Sequence, residues 1–103
     1  MAEDLIGRYT AMLTENPTNE LARFSLGKAL FDAGRFGEAA DAFRWCVEKN
    51  PEWMVPTILL GRCQLQLGDK SAARSFLEKA RCLAIEQNHD GPLEEISSLL
   101  KLA

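Results

Sequence analysis

Two stretches of this chain, LGKALFDAGRFGEAADAF from Leu26 to Phe43 and LGRCQLQLGDKSAARSFL from Leu60 to Leu77, align when one is slid along the other by 34 residues. Leu26 falls on Leu60, Gly27 on Gly61, Gly34 on Gly68, Ala39 on Ala73, Phe43 on Leu77 and Cys46 on Ala80. Taken backwards, the same step carries Phe43 to Tyr9, Cys46 to Met12 and Pro51 to Pro17. A fixed period of this length means that one small unit recurs, each copy burying its apolar face against the next.

Within each unit apolar residues recur at three and four, and breakers separate the periodic runs, so a unit is a pair of helices. Pro17-Thr18-Asn19 opens the second helix, with Thr18 or Asn19 able to accept from the free amides of its first turn. Asn50-Pro51 closes the third. Pro56 is tolerated because an amide in the first helical turn has no partner to lose. Asp69 is a cap for the helix that carries Ala72, Ala73, Phe76, Leu77 and Ala80. The pattern predicts six helices, near 3–15, 18–33, 36–49, 53–67, 70–87 and 92–102, and requires no strand.

Glycine inside a helix costs on the order of 1 kcal/mol against alanine, so the recurring pairs need reasons. Gly27 and Gly61 fall where the first helix of each unit meets its partner, and the missing side chain lets two helix backbones approach closely. Gly34 and Gly68 fall at helix ends, where a left-handed residue terminates a helix at little steric cost.

The period, the Leu-Gly pair in a first helix, the alanine and large apolar residue four apart in a second helix, and the terminal proline resemble the tetratricopeptide repeat. The resemblance covers two repeats, 20–53 and 54–87, preceded by a leading helix, 3–15, whose Tyr9, Met12 and Pro17 match the second half of a repeat. It implies an all-α, right-handed superhelix of antiparallel helix pairs in a single domain. Arg23 and Thr57 stand where the family often has a large aromatic, Gln64 where it has an aromatic or leucine, and Ile85 where it has the closing proline. Without that proline the fifth helix is expected to run on to about Asn88. The last segment, GPLEEISSLLKLA, sets Leu93, Ile96, Leu99 and Leu100 on one side and Glu94, Glu95, Ser98 and Lys101 elsewhere. A helix with one polar side suits the end of such a stack, which it caps.

At 103 residues, with 47% hydrophobic and 26% charged residues, the chain can form one modest core. The net charge of -3, with interspersed signs, gives no basic face for nucleic acid. No run approaches the ~18 apolar residues of a membrane span, and MAEDLIG is acidic where a secretion signal is basic and then apolar. The expected setting is the cytoplasm. Cys46, Cys63 and Cys82 form an odd set with no CxxC pair, which suggests reduced, packed thiols rather than disulfides or a zinc site.

For catalysis the sequence offers little. His89, the single histidine, lies in the turn NHDGP, and no nucleophile-base arrangement is apparent. GRFGEA lacks the preceding strand and following Lys-Ser/Thr of a phosphate loop. Neither an enzyme, nor a cofactor, nor a metal site is expected.

A surface remains. In such superhelices the first helix of each pair lines the inner curve, and helical spacing points Leu21, Phe24, Lys28, Phe31 and Asp32 there from the second helix, with Val55, Ile58, Arg62, Leu65 and Gln66 from the fourth. Lys28 and Arg62 occupy equivalent slots about 10 Å apart. Chaperone-binding members of the family hold a peptide carboxylate with a clamp of lysines and asparagines. Here Lys28 falls in an asparagine slot, Phe24, Ser25, Val55 and Leu59 fill other clamp slots, and the full clamp is absent. The expected partner is therefore a protein or peptide, apolar with an acidic group, rather than a chaperone tail. The alternative is a homodimer, with Ile6 and Leu13 on the outer side of the leading helix covered by a second copy.

Overall fold

The computed structural model describes residues 2–103. Six helices follow one another: α1 Ala2–Glu15, α2 Glu20–Asp32, α3 Phe36–Lys49, α4 Met54–Gln66, α5 Lys70–Glu86 and α6 Asp90–Leu100. The described residues contain no strand. Each helix packs chiefly on its sequence neighbours, giving a linear stack measuring 37 × 27 × 20 Å.

Local chemistry sets the helix ends. Asn19, not Thr18, caps α2, its Oδ1 accepting from the Ala22 amide at 3.0 Å, and Asp69 caps α5 through the Ala72 amide at the same distance. Three helices end alike. The Arg35, Asp69 and His89 amides reach back to the Leu30, Gln64 and Ala84 carbonyls, closing the loop that a left-handed residue permits. Gly34 (φ 77°), Gly68 (φ 83°) and Asn88 (φ 57°) are those residues. Asn88 thus stops α5 at Glu86, short of the longer run that the missing proline suggested.

The core has two centres that share α4. Leu30, Ala39, Ala40, Phe43 and Val47 meet Leu60 and Cys63 in one; Met54 and Ile58 meet Leu77, Ala80, Leu83, Ala84 and Ile96 in the other. α4 is apolar on opposite sides because it is packed between α3 and α5. Thr57, wholly buried, satisfies its hydroxyl by donating to the Trp53 carbonyl at 3.1 Å. Arg23, where an aromatic is usual, lays its guanidinium 4.7 Å from the Trp45 ring and donates to the Pro17 carbonyl at 3.1 Å.

Three expectations change. The atoms nearest Gly27 and Gly61 belong to the Phe43 and Leu77 side chains, so these glycines admit a partner's side chain rather than a second backbone. Leu13 is buried and Ile6 packs on the first core centre; the apolar residues that α1 exposes are Leu5 and Met12, one position round the helix. Cys46 and Cys63 are buried, but Cys82 is exposed.

Candidate functional site: the groove across α2, α4 and α6

Successive residues of α2 at intervals of three and four bring Leu21, Phe24, Lys28, Phe31 and Asp32 onto one stripe. Leu21 is 72% exposed, while Phe24 is half-buried between the rings of Phe43 and Trp53, with centroids 5.9 and 5.0 Å away. Phe31 meets Phe36 edge-on at 5.1 Å. The matching stripe of α4 is less uniform. Val55 and Gln66 are exposed and Arg62 is half-buried. Ile58, expected on the open face, is only 5% exposed, because α6 adds Ile96 to the cluster in which Ile58 packs. Leu65 is half-buried against the same cluster.

Lys28, Phe31, Asp32, Leu59 and Arg62 line a cleft of about 130 Å³ between α2 and α4. A wider depression of about 280 Å³ continues from it toward α6, where Pro92 and Glu95 face Lys28, Val55, Ile58, Leu59 and Arg62. On the other side of Lys28 and Asp32 a third depression runs between α1 and α2, past Leu5, Tyr9, Ser25 and Ala29. Lys28 and Asp32 therefore stand on a ridge between two hollows.

Both cations lie near aromatic faces, and Asp32 lines the same cleft without an ion pair to either among the described residues. The Arg62 guanidinium lies 5.1 Å from the Phe31 ring and the Lys28 ammonium 6.0 Å from the Phe24 ring. Ion pairs among the described residues, such as Arg35–Glu38 and Arg44–Asp41, involve neither Lys28 nor Arg62. A guanidinium on a ring keeps its in-plane donors free for an anion.

Pro92 and Glu95 were not among the residues that the sequence placed on this face, and Leu59 was named there only through the clamp comparison. Leu59 borders both the cleft and the depression, one position beyond Ile58, and Pro92 and Glu95 arrive with α6. Burial pushes the Cys46 and Cys63 thiols up to about 11, so at neutral pH both are protonated. Among the described residues no three His, Cys, Asp or Glu side chains gather into a metal-binding group, and no helix is long and apolar enough to cross a membrane.

A tetratricopeptide repeat family model matches residues 6–52 and 24–90. The chain belongs to that family. A relative at 32% identity over 90 residues is the TPR repeat-containing protein PA0015 of Pseudomonas aeruginosa; the match covers 87% of this chain and 86% of that protein. Among solved structures, the TPR2B domain of yeast Sti1, in complex with pHsp70, superposes with a TM-score of 0.85 at 24% identity, covering 94% of this chain and 78% of the other. The first TPR of Spaghetti (RPAP3), bound to the HSP90 peptide SRMEEVD, gives 0.79 at 21% identity, with 97% and 80% covered. These two likenesses establish the fold. The first of the two family-model matches runs from α1 through α3 and the second from α2 through α5.

Proposed function

We propose that this TPR domain is a protein-interaction module that takes a peptide or helix across the face formed by α2, α4 and α6. The observation that carries this reading is the cleft between Lys28 and Arg62. There, two cations that form no ion pair among the described residues flank Phe31 and Leu59, with Asp32 at the edge, in a hollow open to solvent. A ligand with apolar side chains and a carboxylate complements that lining. The peptide-bound TPR domains of Sti1 and Spaghetti support the ligand class, though the lining here differs from a lysine-asparagine clamp. The proposed setting is the cytoplasm, where the three free thiols would stay reduced.

Display selection of peptides on the wild-type protein, counter-selected on Phe31→Glu and Arg62→Glu variants, tests the reading. Enriched sequences should combine acidic and apolar residues and lose at least about tenfold in affinity on Arg62→Glu. Peptides that bind both variants as well as wild type would exclude this face.

Self-association is the second reading, favoured by Leu5 and Met12, each 40% exposed on the outer side of α1. Light scattering over a concentration series decides it, and a monomeric mass throughout removes it.

A further inference from the structure

Two turns of α2, about 10.5 Å, separate Lys28 from Leu21 on the same stripe. At the Leu21 end lies an open depression of about 290 Å³, lined by Glu20, Leu21, Asn50 and Trp53. Leu21 is 72% exposed, and Trp53 is half-buried with its ring 5.0 Å from that of Phe24 and tilted 36° to it. An exposed leucine beside a partly open tryptophan makes an apolar contact point of the kind that anchors a partner's side chain. The Trp53 backbone is anchored, its amide donating to the Asn50 carbonyl at 3.0 Å and its carbonyl accepting from Thr57. Packing of the ring on Phe24 narrows its rotamers before any ligand arrives, which lowers the entropy cost of binding.

We infer that the α2–α4 face is a two-point site for an extended acidic peptide, with an apolar side chain resting against Leu21 and Trp53 and a carboxylate lying between Lys28 and Arg62. The inference rests on the groove reading above and adds a second contact and a spacing to it. Charge assigns the ends. Glu20 is the one charged group lining the Leu21 depression and disfavours a carboxylate there, whereas in the cleft Lys28 and Arg62 outnumber Asp32 and neither is in an ion pair among the described residues. Asp32 and Glu95 border the lower end, both exposed, where they can accept from ligand backbone amides. Spacing assigns the conformation. A polyproline-type strand rises about 3.1 Å per residue with three residues per turn, so side chains three apart share one side at about 9.3 Å. A β-strand would turn those two side chains to opposite sides.

The test uses unlabelled, amidated proline-rich peptides with one leucine and one glutamate three positions apart, so that no terminal carboxylate competes. Controls replace leucine by serine, replace glutamate by glutamine, or move the pair to a spacing of four. In a Trp45→Phe background Trp53 is the one remaining tryptophan, and its emission reports the upper contact. Wild type should bind the parent peptide about tenfold more tightly than each control, with a change in Trp53 emission. Leu21→Ser should erase the leucine preference and keep the glutamate preference; Arg62→Glu should do the reverse. If Leu21→Ser keeps the leucine preference while Arg62→Glu loses the glutamate preference, the second contact is wrong and the groove reading survives. Peptides that do not bind at millimolar concentration, or that bind wild type and both variants equally, overturn both.

Discussion

A methyl group at Gly27 would stand 2.6 Å from Cε1 of Phe43, and one at Gly61 would stand 2.8 Å from Cδ2 of Leu77. The two sites are equivalent in the repeat and equally closed. Phe43 is wholly buried with its ring against Phe24, and Leu77 is wholly buried too and meets the added methyl with its branch carbon Cγ as well as Cδ2. Gly27→Ala and Gly61→Ala should therefore each cost about 1–3 kcal/mol through overpacking. Thermal melting of both variants checks this; an unchanged melting temperature in either would mean that its neighbour can move. The thiols offer a second residue-scale measurement. Burial raises Cys46 and Cys63 from 9.0 to about 11, so the native state holds their protons more tightly than the unfolded chain does. Their contribution is fully present below pH 9 and is lost as pH rises through about 11. Stability measured by denaturant titration should fall across that window, and a Cys46→Ala/Cys63→Ala variant should fall less. At pH 7 a thiol reagent should modify Cys82 quickly and the other two only on unfolding.

At the scale of elements, α6 joins the stack through its apolar residues. It presents Ile96, wholly buried, and half-buried Leu93, Leu99 and Leu100 to α5 and α4. Counting 34 residues on from Leu60 and Gly61 leads to Glu94 and Glu95, both exposed. In α2 and α4 those slots hold a leucine and a glycine that pack against neighbouring helices. Two carboxylates there prefer water, so α6 has one packing face and one wet face. Ile96→Ala should destabilise the domain by about 2–5 kcal/mol, since it empties a site shared by Met54, Ile58 and Leu77. Urea unfolding measures this. A loss below about 1 kcal/mol would show that α6 adheres only weakly. The same variant loosens one wall of the groove, so any peptide affinity should weaken with it.

Across the whole molecule, α4 is, among the described residues, the one helix with buried side chains in both core centres, Leu60 and Cys63 on one side and Met54 and Ile58 on the other, while α5 reaches the first only with half-buried Phe76. In a linear stack, stability accumulates from contacts between neighbours, so the element buried in both centres opens last. Amide hydrogen exchange should find the strongest protection in α4 and the adjoining faces of α3 and α5, and the weakest in α1. Stronger protection in α1 than in α4 would point to an additional partner on Leu5 and Met12, such as a second copy.

The period, the helix pairs, the left-handed Gly34 and Gly68 and the cap at Asp69 were legible from the chain, because each depends on residues within a few positions of one another. The outer limit of α5 was not, since it turned on Asn88 accepting a positive φ that proline at the end of a repeat would have pre-empted. Sequence also located the stripe of α2 with Lys28 on it, which helical spacing alone determines. It did not reveal that Ile58 is sealed, that Glu95 and Pro92 wall the groove, or that Trp53 packs against Phe24 beside Leu21. Those facts depend on where α6 and the α3–α4 turn come to rest, and non-local packing of that kind leaves no periodic signal along the chain. Tertiary structure thus decided which apolar residues are core and which remain available to a partner.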